Sequence, residues 1–192
     1  AALALGAAVL VALSLRRPEP PVHAPSAPRP AEVGARLHGP ISYTVDARDT
    51  ERWAFFDFSR GSVVTDPGPR EWDLAFRRFD IIVNGGTGFA GLGGALALPD
   101  TTLATVDRAP AVGYLASTAD STHALLSSWY DYGFTTHLLT PRPTVYVIRT
   151  SDGRYAKLRV RSYYCPGATP GCTTFEYVYQ GDGSRTLRPT PR

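Results

Sequence analysis

Several residue types and motifs are scarce in this 192-residue chain, and their scarcity excludes several classes of function. The sequence contains no methionine, so we expect further residues upstream of Ala1. Its only cysteines, Cys165 and Cys172, lack the additional cysteine or nearby histidine that a zinc site requires. The net charge is +3, but lysine and arginine form no basic stripe interleaved with aromatics, which argues against nucleic acid as a partner. No Ser-His-Asp order or Cys-His pair stands out, so we predict no enzyme and no catalytic residue.

Proline, glycine and tyrosine are abundant instead, with seventeen, eighteen and ten residues respectively. This composition favours short strands and turns over long helices. The length suits one folded domain with a tail or linker. We therefore predict an all-β domain over residues 41–182, with one short helix over residues 119–130 that Asp120 or Ser121 would cap.

The first fifteen residues, AALALGAAVLVALSL, are apolar or small and precede Arg16 and Arg17. As a helix they would span about 22 Å, short of the ~30 Å hydrocarbon core, and upstream residues would supply the remaining turns. We predict that residues 1–17 form an uncleaved transmembrane anchor, with a signal-peptide core or a buried helix as the alternatives. The two arginines favour a cytoplasmic domain, unless upstream charges reverse that orientation.

Residues 18–40 carry seven prolines and almost no periodic apolar pattern. Such a segment is extended, at up to about 3.1 Å per residue. We predict a proline-rich tether between the anchor and the domain, ordered by the surface of a partner protein.

The remaining sequence is rich in strand patterns. Alternation over residues 72–83 slips at Arg77 and Arg78, which predicts a β-bulge or a bend within one strand. Residues 144–150, 154–161 and 173–180 form a predicted three-stranded antiparallel meander, whose first turn contains Asp152 and Gly153. In the middle strand we expect one set of side chains to face inward and the other to face water: Ala156, Leu158 and Val160 inward; Lys157, Arg159 and Arg161 outward.

Cys165 and Cys172 flank the loop between the last two predicted strands. Since a hairpin brings flanking residues together, we predict a disulfide, with free structural thiols as the alternative. A disulfide indicates an oxidising compartment and outweighs the orientation signal of the two arginines. The folded domain is therefore expected in the periplasm.

The stretch FDIIVNGGTGFAG, residues 79–91, contains a G-x-G-x-x-G pattern, and Asp107 follows at a distance typical of dinucleotide sites. Gly93, Gly94 and Pro99 oppose the helix that such a site requires, and no βαβ repeat follows. We predict a flexible glycine loop that acts as a contact surface.

The run WDLAFRRFDI over residues 72–81, followed by NGG at 84–86, resembles the signature of the HmuY-like family. Segments 129–132 and 145–158 strengthen the resemblance. It implies an antiparallel β-domain on the outer side of a bacterial cytoplasmic membrane, and the founding members bind haem between two histidines. Here only His123 and His137 lie in the predicted domain, and they are the candidate haem ligands. The simpler interpretation makes His123 a surface residue and His137 a turn or packing residue.

We therefore expect a non-catalytic accessory or scaffolding subunit of a larger complex in the bacterial inner membrane, such as a photosynthetic or respiratory assembly. Its partners would be the membrane itself and other membrane proteins, and it would need no cofactor. The tail over residues 183–192 would place three arginines on an acidic partner: Arg185, Arg188 and Arg192. The alternative is a haem-binding protein with bis-histidine ligation.

Overall fold

The protein is built from antiparallel β-strands in the computed structural model, which describes residues 18–31 and 37–188 and the isolated residues 5, 6, 9 and 11. Its strands are β1 His38–Asp46, β2 Ala54–Asp57, β3 Ser62–Val64, β4 Leu74–Arg77, β5 Asp80–Val83, β6 Gly94–Pro99, β7 Tyr130–Tyr132, β8 Leu139–Pro141, β9 Thr144–Arg149, β10 Tyr155–Cys165 and β11 Thr169–Gln180. Short 3-10 turns cover Leu103–Thr105, Leu126–Ser128 and Pro166–Ala168. The predicted all-β, antiparallel class is confirmed.

Three sheets organise these strands. A five-stranded sheet has the order β1-β11-β10-β9-β6, a four-stranded sheet has the order β3-β2-β4-β5, and β7 pairs with β8. The predicted meander is the β9-β10-β11 portion of the larger sheet. Gly153, with a φ of +86°, supplies the left-handed residue of its first turn.

Aromatic side chains fill the core between the two larger sheets. The ring of Phe175 on β11 lies 5.2 Å from Phe56 of β2 and 5.4 Å from Phe76 of β4. Tyr177 lies 5.7 Å from Phe56. Such aromatic pairs contribute about 0.5–1.5 kcal/mol each beyond the area they bury, so these rings tie the two sheets together.

Residues 72–83 form a hairpin rather than one strand with a bulge or bend. Arg77 pairs with Asp80, so Arg78 and Phe79 make a two-residue turn between β4 and β5. Arg78 has a φ of +54°. The slip in alternation therefore marks a reversal of the chain, which places Phe76 and Ile81 on the same face of the sheet.

The predicted helix over residues 119–130 is absent, and only the 3-10 turn Leu126–Ser128 remains. Ser121 has a φ of +60°, which no α-helix accommodates. The carboxylate of Asp120 accepts hydrogen bonds from the hydroxyls of Thr118 and Thr122 instead of capping a helix. Residues 118–122 therefore form a turn that side-chain hydrogen bonds stabilise.

Lys157 is buried, contrary to the expectation that it faces water. A second small core covers that face of the five-stranded sheet, and it contains Val106, Val147 and Leu187. The Lys157 ammonium donates to the carbonyl oxygens of Leu103 at 2.6 Å and Val106 at 2.9 Å. Burial lowers the pKa of Lys157.

The proline-rich segment 18–31 lies along the domain of its own chain, which corrects the expectation that a partner orders it. Main-chain N–H groups donate to main-chain oxygens of the domain at four positions: His23 to Tyr164 at 2.9 Å, Ser26 to Thr44 at 3.0 Å, Arg29 to Gly61 at 2.9 Å and Ala31 to Ser59 at 3.0 Å. A Cβ on Gly61 would lie 1.7 Å from the Arg29 oxygen, so glycine is required there. The first strand begins at His38.

Within the described residues, the structure contains no helix both long enough and apolar enough to cross a membrane. Most of the predicted anchor, residues 1–17, lies outside the described residues.

The predicted disulfide between Cys165 and Cys172 is present, with a Cα–Cα distance of 4.8 Å. It closes the loop between β10 and β11, the two strands that share the longest pairing in the larger sheet. The bridge therefore fixes the end of the central hairpin.

Replacing Cys165 and Cys172 together by alanine should lower the free energy of unfolding by about 2–3 kcal/mol, because the bridge removes loop-closure entropy from the unfolded chain. Urea denaturation of the wild-type protein and the double variant, each with and without dithiothreitol, measures the effect. The double variant is the control, since reductant should change only the wild-type midpoint. An unchanged wild-type midpoint under reducing conditions would contradict the prediction.

Candidate functional site

Asp73, the acidic residue of the WDLAF motif, is buried and has a structural role. Its Oδ2 accepts from the Phe58 N–H at 2.9 Å, and its Oδ1 accepts from the Ser151 N–H at 2.8 Å. Burial and the nearby Asp57 charge raise the pKa of Asp73 to about 7, against the lowering effect of the two N–H donors. Asp73 thus joins the end of β2 to the β9–β10 turn.

Asn84 of the NGG motif is a second buried anchor. Its side-chain amide donates to the oxygens of Pro69 and Trp72, both at 3.0 Å, and its Oδ1 accepts from Gly91 N–H at 3.1 Å. A Cβ on Gly85 would lie 2.1 Å from the oxygen of Gly93. The glycine loop therefore packs against its own chain.

The G-x-G-x-x-G pattern has no nucleotide-site geometry. The chain continues from the glycines into strand β6 and not into a helix, so no helix N-terminus is available for a phosphate. Gly86 lies against Ser117, where an added Cβ would be 2.1 Å from the Ser117 oxygen. The expected contact surface is thus occupied by neighbouring segments of the same domain.

His123 is buried, with 1% of its surface exposed, which corrects its assignment as a surface residue. Its Nδ1 accepts from the N–H groups of Leu125 and Leu126, both at 3.2 Å. Its Nε2 therefore carries the proton and donates to the Leu115 oxygen at 3.1 Å. Burial lowers the pKa of His123, so the ring is held neutral with both nitrogens engaged.

His137 is exposed and lies in a turn, with a φ of +56°. Its N–H donates to the Gly133 oxygen at 2.7 Å, and its Nδ1 is hydrogen-bonded to the Tyr132 hydroxyl. The structure thus places one predicted haem ligand in the core and the other on the surface. As they stand, the two do not form a bis-histidine ligand pair, because the nitrogens of His123 already bind main-chain groups.

The surface element that carries His137 is a two-stranded arm, residues 130–141, formed by β7, β8 and their connecting turn. These two strands pair with each other and with neither larger sheet. At the turn end of this ladder the Leu139 N–H, opposite Tyr132, donates to the Tyr164 hydroxyl at 2.8 Å, and at its base the Arg142 N–H donates to the Trp129 oxygen at 2.9 Å. The arm is therefore joined to the domain at both ends of its short ladder.

The tip of the arm is aromatic and exposed. Phe134 has 85% of its surface exposed and Tyr132 has 48%. Their ring centroids lie 5.6 Å apart, and the His137 ring lies 5.9 Å from that of Tyr132. The sequence-based prediction considered His137 only as a haem ligand or a turn residue and did not include Phe134, so this cluster was missed. The available signal was the run of aromatic residues Tyr130, Tyr132 and Phe134 around Gly133.

A groove of about 340 Å³ separates the arm from the proline-rich segment. Three segments line it: Pro18–Pro21, Leu138–Pro141 and part of β10 from Arg159 to Tyr164. The beginning of the proline-rich segment therefore lies beside the base of the arm.

Two of the arginines predicted to contact a partner, Arg185 and Arg188, instead contact residues of the same chain. Arg185 donates to the Ala109 oxygen at 3.5 Å, and Arg188 lies 3.6 Å from the Asp107 carboxylate. Leu187 between them is fully buried. Arg192 lies outside the described residues. Burial of Leu187 therefore holds the tail, up to residue 188, on the domain. The exposed ion pair between Arg188 and Asp107 contributes only about 0–1 kcal/mol.

The family described as HmuY protein matches residues 49–177, more than half of the chain. The chain belongs to the HmuY family. No curated protein matches it. In the part of the chain that the structure describes, no group of three or more His, Cys, Asp or Glu residues is placed to hold a metal ion.

Solved structures share this HmuY fold at low sequence identity. The apo HmuY analogue of Tannerella forsythia has a TM-score of 0.61 at 20% identity, covering 74% of this chain and 96% of its own. A Bacteroides vulgatus protein, provisionally described as an HmuY-like heme-binding protein, has a TM-score of 0.56 at 23% identity, covering 80% and 97%. A Bacteroides fragilis protein, provisionally described as a lipoprotein, has a TM-score of 0.58 at 20% identity, covering 80% and 94%.

Replacing Asp73 by asparagine should lower the free energy of unfolding by about 1–3 kcal/mol, because an NH₂ group replaces one of the two buried acceptors. The difference in free energy of unfolding between the wild-type protein and the variant should shrink as the pH rises from about 4 to 7. In that window the folded protein retains a proton on Asp73 that the unfolded chain releases, so the wild-type protein loses stability and the variant does not.

Urea denaturation at several pH values measures both effects. Asp66→Asn makes the same substitution at an exposed site and serves as the matched control. A stability difference between wild type and Asp73→Asn that grows with pH would contradict the assignment.

Proposed function

We propose that this HmuY-family protein is a non-catalytic accessory subunit of a bacterial membrane assembly. The β-domain lies on the periplasmic side and is attached through residues 1–17. It acts by docking and not by catalysis.

One observation carries this proposal: the proline-rich segment is fixed along the domain by main-chain hydrogen bonds at His23, Ser26 and Arg29. Pro18 lies only three positions after Leu15, the last residue of the apolar run. Three extended residues span at most about 11 Å. A domain held this close to its attachment suits a fixed subunit better than a carrier that captures ligand at the end of a long mobile tether.

The disulfide supports the periplasmic location. The bridge between Cys165 and Cys172 persists in oxidising compartments and is rare in the reducing cytosol.

The proposal predicts that the full chain is recovered from membranes within a larger assembly. Extraction in mild detergent, affinity purification and native mass analysis should yield this chain together with integral membrane proteins. The matched control replaces residues 1–17 with a cleavable signal peptide, and it should leave the domain soluble in the periplasm. Recovery of the intact chain as a lone monomer would contradict the proposal.

Haem binding is the second candidate function. It is favoured by the HmuY fold and by the exposed His137 imidazole, which lies among aromatic rings on the arm. An imidazole is an established axial ligand of haem iron. His123 would have to break its main-chain hydrogen bonds to contribute as the second ligand of the predicted pair.

Titration of the purified full chain with haem separates the two candidates. If docking is the function, no stoichiometric Soret shift is expected. A stoichiometric shift that His137→Ala abolishes would favour haem binding. His123→Asn, which retains an acceptor for the Leu126 N–H, is the matched control and tests whether His123 takes part.

A further inference from the structure

We propose that the tip of the arm contacts lipid, with Phe134 and Tyr132 placed in the interfacial layer of the membrane. This inference rests on the proposed attachment through residues 1–17. It adds a second membrane contact, made by the folded domain itself.

The exposure of the tip is the first reason. Phe134 is the most exposed aromatic side chain among the described large hydrophobic residues, at 85%. Its ring contacts Tyr132, which is itself half exposed. Aromatic residues with an apolar body and a polar group are enriched at the membrane–water interface, and the Tyr132–Phe134 pair has that character.

The position of the arm is the second reason. Pro18 and Pro20 line the same groove as Leu138 and Leu139, which lie at the turn end of the arm. The last residue of the apolar run, Leu15, lies within about 11 Å of Pro18, and the four positions from Leu138 to Phe134 span at most about 14 Å. If residues 1–15 are inserted in the bilayer, as proposed above, the aromatic tip of the arm therefore lies within reach of the bilayer surface.

Charge near the groove is the third reason. Arg159 and Arg161 line it, and Arg16 and Arg17 immediately precede Pro18 in the sequence. Glu19 is the acidic residue of the groove, while Arg161 is partly neutralised by Glu176 at 3.6 Å. The net charge of these side chains is positive, which favours binding to anionic lipid headgroups.

The arm is also built to present its tip at little entropic cost. The Arg142 guanidinium binds the Asp131 carboxylate at 2.8 Å across β7 and β8. The Gly133 N–H donates to the Leu138 oxygen at 2.8 Å and closes the turn below Phe134. Because the aromatic rings are already held on a hydrogen-bonded element, binding requires little further ordering.

A site-specific fluorescent label tests the inference on the full chain. Among the described residues the cysteines are disulfide-bonded, so Phe134→Cys creates a single reactive thiol for a nitrobenzoxadiazole label. In nanodiscs of phosphatidylcholine and phosphatidylglycerol, the label should shift its emission to the blue, brighten at least about twofold and be quenched by doxyl-labelled lipid. Val112→Cys, at a site 79% exposed in a loop beside β6, is the matched control and should remain solvent-like.

Flotation of the same samples separates the inference from the proposed function. A chain that floats with the discs while the label at position 134 stays solvent-like overturns the lipid contact and leaves the attachment intact. A chain that does not float overturns both. Shielding of position 134 that requires added membrane proteins overturns the lipid contact in favour of a protein partner.

Discussion

The carboxyl group of Asp73 is the interaction on which the two larger sheets depend. It accepts hydrogen bonds from Phe58, which follows β2, and from Ser151, which follows β9. These buried N–H groups would otherwise lack partners, at a cost of about 1–3 kcal/mol each. With the ends of the sheets joined in this way, the ring of Phe175 lies 5.2 Å from that of Phe56 and 5.4 Å from that of Phe76 in the aromatic core.

The proline-rich segment adds a second constraint, which follows from the geometry of its backbone. The N–H donors at His23, Ser26 and Arg29 recur every third residue, which is the period of a polyproline II helix. Proline has no N–H to donate, and it occupies other positions of this segment. Such a chain is already extended before it binds, so ordering it along the domain costs less entropy than ordering a glycine-rich linker.

Local sequence predicted the parts of the fold that local chemistry determines. Alternation and the Asp-Gly turn predicted the β9-β10-β11 meander, and the two cysteines predicted its bridge. Other features depend on distant segments. In the sequence pattern Lys157 belongs to the polar face of its strand, but the segment around Val106 covers it. The main-chain oxygen of Leu115, which accepts a hydrogen bond from His123, comes from a separate loop segment. Neither neighbour can be inferred from the pattern within one strand or helix.

Family membership and function depend on different residues in this chain. The residues that carry the HmuY resemblance, including Asp73 and Asn84, bind main-chain groups inside the domain. They therefore specify a scaffold and carry no information about a ligand. The exposed aromatic pair of Tyr132 and Phe134 lies on the arm, apart from these motif residues.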